Sequence, residues 1–171
     1  MNAISGKQSD RINWQVIVLF ALGFWLSGSL LLDFVIVPGL FAAGMMSQVS
    51  FASAGYLIFG LFNRIELVCA ALVLTGFLVL NRRQLLPSRQ QRWSFVLSAL
   101  LLTIAIIYTY VFTPQMSSLG LQLNWFESSN AAMSPVMAQM HGFYWVLEGL
   151  KFVAGATLLR WCYRDSCSLM G

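Results

Sequence analysis

Four apolar stretches run along the chain, over roughly residues 14 to 37, 51 to 80, 93 to 112 and 140 to 161, separated by shorter segments rich in Arg, Ser, Gln and Pro. Each supplies the ~20 mainly apolar residues that an α-helix needs to cross a hydrocarbon core of about 30 Å. The pattern predicts an all-α fold: a polytopic membrane four-helix bundle over residues 14–161, with polar tails at 1–13 and 162–171. Pro38-Gly39 is expected to stop the first helix and turn the chain. Trp14, Trp93 and Trp161 fall where an aromatic headgroup belt belongs. The apolar run after the polar start lacks a small-x-small cleavage site, so it reads as a retained helix rather than a signal peptide.

Composition narrows the class further. Hydrophobic residues make up 58% of the chain and charged ones 9%, against about a quarter charged in soluble domains. The basic residues are also one-sided. Lys7 and Arg11 precede the first helix, Arg82, Arg83, Arg89 and Arg92 crowd the second connection, and Arg160 and Arg164 end the fourth helix. The other two connections hold no Lys or Arg. Retained loops carry such an excess on the cytoplasmic side, so both termini are predicted cytoplasmic and the protein integral and multi-pass. The net charge of +4 is then a topology signal: the partner it implies is the lipid bilayer, anionic lipid included, and not nucleic acid. Three cysteines give no disulfide framework.

The two predicted hairpins carry parallel motifs. "FVIVPGLFAAG" after the first helix and "YVFTPQMSSLG" after the third share aromatic-Val-x-x-Pro-x-[Leu/Met]-x-x-x-Gly. "GLFNRIE" and "GFYWVLE" share Gly-x-aromatic-x-x-aliphatic-Glu, aligning Glu66 with Glu148. Two tandem helical hairpins, related by an axis along the membrane normal, would leave this pattern.

Charges inside the spans carry the candidate chemistry. Asp33, Arg64, Glu66, Glu148 and Lys151 lie within them, and His141 lies at the outer end of the fourth. Burying an Arg, Lys or Asp at the bilayer centre costs about 2.5–3.5 kcal/mol on insertion scales, so partners are expected. On the fourth helix His141, Tyr144, Glu148 and Lys151 fall at i, i+3, i+7 and i+10, one stripe predicted to face the interior. On the second helix Asn63 and Glu66 share a face, whereas Arg64 diverges from Glu66 by about 200°. Arg64 is therefore expected to pair with Asp33 first or Glu148 second, and Lys151 with Glu148 or Glu66. Three acids against two bases leave one negative charge, to be balanced by a proton, by protonated His141 or by a bound cation. The candidate ligand- or proton-binding residues are Asp33, Asn63, Arg64, Glu66, His141, Tyr144, Glu148 and Lys151, concentrated in the middle and outer half of the spans as if lining a cavity. The third helix, uncharged between Trp93 and Phe112, is expected to be structural or lipid-facing.

Other chemistries find little support. One histidine and no intramembrane Cys-x-x-Cys provide no zinc or iron–sulfur ligand set, and no phosphate loop, Gly-x-Ser-x-Gly or second histidine supports a hydrolase. No catalytic residue, metal or cofactor is assigned, and the reading leans away from an enzyme.

"FWLSGSLLLDFVIVPGLF", "GYLIFGLFNRIELV", "YVFTPQM" and "HGFYWVLEGLK" together resemble the family of small four-helix membrane proteins related to transmembrane protein 205, long filed as a domain of unknown function. The resemblance spans nearly the whole chain and rests on Pro38 and Phe41, Phe62 and Arg64, Thr113-Pro114, and His141 in order. It implies a polytopic membrane protein without a settled activity. Its general plan is similar to that of four-helix proteins implicated in copper handling and porphyrinogen oxidation, the latter with more intramembrane histidines than this chain has. The expected function is binding or passage of a small ligand, ion or proton. The rival is an accessory or assembly subunit, with a membrane-protein partner or a homodimer, in which the polar cluster is structural; a membrane oxidoreductase with a bound cofactor ranks third.

Overall fold

A computed structural model describes residues 13–44, 51–82, 88–116, 118 and 135–168. Helix α1 (Trp14–Leu31) passes through a π turn (Leu32–Ile36) into α2 (Val37–Ala42), making one continuous rod. Helix α3 covers Phe51–Arg82, and α4 (Ser88–Ile107) runs through a second π turn (Tyr108–Phe112) into helical residues 113–116. Helix α5 covers Pro135–Ser168. The segments Trp14–Ala42, Gly55–Arg82 and Gln90–Met116 are long and apolar enough to cross a membrane. Helix α5, at 34 residues, has the length for a fourth span but not the apolarity, because His141, Glu148, Lys151, Arg160 and Arg164 are threaded along it.

Pro38 does not stop the first rod. Proline lacks an N–H, and its ring crowds the carbonyl four residues back. Here the preceding turn widens: the Val37 N–H bonds to the Leu32 carbonyl, five residues back, and helix resumes to Ala42. The same device precedes Pro114, where the Thr113 N–H bonds to the Tyr108 carbonyl. The rod ends instead at Gly44, whose φ of 68° is left-handed backbone that glycine adopts without steric cost.

The rods close into a ring in which α1 packs on α3 and α5, and α4 packs on α3 and α5. At the proximal end, Asn81 and Gln91 exchange side-chain-to-backbone hydrogen bonds at 3.2 and 2.9 Å between α3 and α4. Cys162 Sγ lies 3.5 Å from the Gln15 carbonyl, setting the level of α5 against α1. The interior of this half is apolar, built from Val18, Leu22, Val73, Phe77, Leu101 and Leu158. Two glycines let helices approach: a Cβ on Gly76 would overlap Val18, and one on Gly155 would lie 2.8 Å from Leu26. The outside is apolar too, with Phe20, Leu57, Leu61 and Val153 each more than 60% exposed. Exposed apolar area on this scale calls for a nonaqueous neighbour, and together with the three apolar rods it makes this a membrane protein.

Candidate functional site

The polar groups fill the interior above that apolar half. Val18, Leu22, Trp25, Ser29 and Asp33 recur along one face of the first rod at helical spacing, and all five are buried. Glu66 enters from α3 and Glu148 and Lys151 from α5, each only 1% exposed. Heights follow from the rise of 1.5 Å per residue, counted from the level where Gln15 meets Cys162. Lys151 lies about 17 Å up, Glu66 about 20 Å, Glu148 about 21 Å, and Asp33 and Tyr144 about 27 Å. The cluster therefore climbs from near the middle of a bilayer-thick bundle toward its distal end.

Lys151 holds the centre. Its ammonium stands 2.6 Å from Glu66 Oε1 and 2.6 Å from Glu148 Oε1, and 5.5 Å from the centre of the Tyr108 ring. Both partners expected for Lys151 are thus engaged at once. Glu66 Oε1 also accepts from Trp25 Nε1 at 2.8 Å and Ser29 Oγ at 3.0 Å. Glu148 Oε2 accepts from the Tyr108 hydroxyl at 2.9 Å. Tyr144 donates to Asp33 Oδ1 at 2.8 Å, and the Asp33 and Glu148 carboxyl groups interact side chain to side chain. The result is a continuous polar path, Glu66–Lys151–Glu148–Asp33–Tyr144.

Hydrogen bonding around this path is incomplete. Asp33 Oδ2 and Glu66 Oε2 are buried without a donor. Glu148 Oε1 touches the Lys151 ammonium as an ion pair but out of hydrogen-bonding alignment. Buried polar oxygens without donors are costly. Here they are carboxyl oxygens, each able to carry a proton.

Two expectations fail. Arg64 is exposed and makes no ion pair with Asp33, Glu148 or any other described residue. It lies about 100° round the helix from Asn63, which turns inward, so it is carried to the outer face. The buried balance is consequently three acids against one base rather than against two. His141 is exposed and so leaves the interior stripe, which begins at Tyr144. Asn63 is buried but serves a separate contact, donating to Thr113 Oγ1 at 2.6 Å while Thr109 donates to its carbonyl at 3.3 Å.

The helix expected to be structural or lipid-facing also contributes. Tyr108 is 1% exposed and delivers its hydroxyl to Glu148, with Thr109 and Thr113 alongside. Trp25 and Ser29 were likewise not among the candidates. Their i, i+4 spacing on the face that carries Asp33 was the available signal. For Tyr108 it was the position before Pro114, matching Leu32-Asp33 before Pro38.

No group of three or more His, Cys, Asp or Glu side chains among the described residues is arranged to hold a metal ion. No curated protein and no solved structure matches the chain. One family model does, over residues 20–124, which takes in Trp25, Asp33, Glu66 and Tyr108 and ends before α5. The chain belongs to the family described as "Domain of unknown function (DUF4149)".

Proposed function

We propose that this is a multi-pass membrane protein, with both termini cytoplasmic and α5 as a fourth span, whose buried acidic path binds and passes protons between the bilayer interior and the distal face. One observation carries the reading: Glu66 and Glu148 are buried against the Lys151 ammonium with Asp33 buried above them, and Lys151 is the one buried base among the described residues. Three ionised carboxylates would leave two uncompensated negative charges in an apolar setting, where such charges are expensive. Protons neutralise them at least cost and occupy the oxygens that lack donors. The resemblance to four-helix proteins related to transmembrane protein 205 agrees with the membrane setting and adds no chemistry. The test is infrared difference spectroscopy of the reconstituted protein across a pH titration. A protonated-carboxyl band that titrates in the parent and is lost in Glu148→Gln or Asp33→Asn is expected; no titrating band in the parent would sink the reading.

Arg64 favours a second reading, an accessory subunit. An exposed arginine among Leu57, Leu61 and Val68 fits a partner helix that carries an acid. Purification from native membranes would yield a stoichiometric partner that Arg64→Leu releases.

A further inference from the structure

Glu66 meets the other acids of the path through one side chain. Its described partners are the Lys151 ammonium at 2.6 Å, Trp25 Nε1 at 2.8 Å and Ser29 Oγ at 3.0 Å. We infer that a proton reaches Glu66 from the distal face by way of Lys151 Nζ, which makes this lysine the relay and the gate of the acidic path. The role rests on the proton-binding reading and assigns one side chain a step within it.

The other approaches to Glu66 are closed. Trp25 Nε1 is a donor without acceptor capacity, and no described side chain donates to the Ser29 hydroxyl to resupply it. Below lie Leu22, Val73, Phe77 and Leu101, each at most 1% exposed. Lys151 alone faces both acids. Its ammonium is hydrogen-bonded to Glu66 Oε1, while it touches Glu148 Oε1 at 2.6 Å out of alignment, so it engages one acid at a time. The Tyr108 ring from α4 stands 5.5 Å away. Trp25, Ser29 and Cys69 surround Glu66, and Asp33 and Tyr108 contact Glu148. With Glu148 protonated from Asp33, the transfer takes two steps. An N–H of the ammonium breaks and its proton joins Glu66 Oε1, the electron pair staying on Nζ. The neutral amine then turns that pair toward Glu148, takes the carboxyl proton and leaves Glu148 as the carboxylate. One proton has moved from Glu148 to Glu66 and the ammonium is restored. The three groups hold one ion pair before and after and no charge between, so none of them is ever a lone buried ion, the costly state in such an interior.

The test is time-resolved infrared spectroscopy of the full-length protein in vesicles after a drop in pH on the distal side, with Glu66→Gln and Glu148→Gln assigning the two carboxyl bands. Lys151→Arg keeps the positive charge, but a guanidinium does not release its proton in a protein. In that variant the Glu148 band is expected to rise as in the parent, and the Glu66 band about a hundredfold more slowly. A Glu66 band that rises at the parental rate in Lys151→Arg would overturn the relay. A second measurement leaves Lys151 in place. The chain has two lysines, Lys7 and Lys151, so in Lys7→Gln protein made with isotope-labelled lysine the ammonium signal belongs to Lys151 alone. When the pH drop is made in heavy water, Lys151 is expected to carry deuterium by the time the Glu66 carboxyl band appears. A Glu66 band that forms while Lys151 is still fully protiated reveals a route around Nζ and overturns the relay as well. Absence of any titrating carboxyl band in the parent removes the proton reading itself, whereas titrating acids with Glu66 indifferent to Lys151 remove the relay alone, so the two fail separately.

Discussion

Lys151 Nζ stands 2.6 Å from Glu66 Oε1, joining α5 to α3 through an ion pair buried on both sides. Removing one partner of a buried pair leaves the other charge uncompensated, at a cost of about 3–5 kcal/mol. Lys151→Met is therefore expected to lower the Tm in detergent sharply. Adding Glu66→Gln should restore part of the loss, because the amide leaves no naked charge. Additive losses in the double variant would show that the two residues are not coupled.

Asp33→Asn has the opposite expectation. The amide oxygen can still accept from Tyr144, its NH₂ can donate to Glu148, and one surplus acid disappears. Stability should stay within about 1 kcal/mol of the parent while the infrared proton signal falls. If Asp33→Asn unfolds the protein as readily as Lys151→Met, the acids serve as a structural clasp and not as a proton site.

The Tyr108 hydroxyl serves Glu148, while the ring packs edge-on against Phe112 at 5.8 Å between centroids. Tyr108→Phe keeps the ring and removes only the donor. A loss of about 1.5–3 kcal/mol is expected if Glu148 is ionised, and about half that if it is protonated. Equilibrium unfolding of this variant at two pH values separates the cases.

Gly76 and Val18 probe the apolar half on its own. Gly76→Ala forces a methyl group into Val18, a small-to-large change expected to cost about 1–3 kcal/mol. Val18→Ala in the same chain should relieve most of the clash, and thermal unfolding of the pair measures the coupling.

Topology is open to single-cysteine labelling in a background with the native cysteines replaced. Ser118→Cys and Arg164→Cys are expected to react with a membrane-impermeant maleimide from opposite sides, since they lie at opposite ends of the bundle. Labelling from one side would remove α5 as a fourth span.

Much of the fold was legible in the sequence because apolar length is a coarse quantity that local irregularity does not disturb. The Glu66–Lys151–Glu148 triad was legible too, since i, i+3 and i, i+7 spacings fix which side chains share a face. Arg64 departs from its expected pairing with Asp33 because a shared level does not bring two side chains together and helical phase decides: Asn63 and Glu66 take the interior, and Arg64 cannot share it. Tyr108 was hidden in a helix without charges, where only a hydroxyl distinguished it from its apolar neighbours. Pro38 was read as a stop because a widened turn, which lets a helix tolerate proline, leaves no compositional mark.

Those two widened turns each hold one residue more than an α-helical turn would. A single-residue deletion inside either would return the backbone to ordinary helix and nearly keep the phase of what lies beyond, whereas the same deletion outside the turn would rotate everything beyond it by about 100°. In the first rod that rotation would uncouple the face carrying Trp25 and Ser29 from the distal segment; in the second it would uncouple Tyr108 from the segment that meets Asn63. Each turn is thus a phase adjuster between an apolar lower half and a polar upper half, and it makes helical register, more than residue identity, the quantity on which the upper half depends.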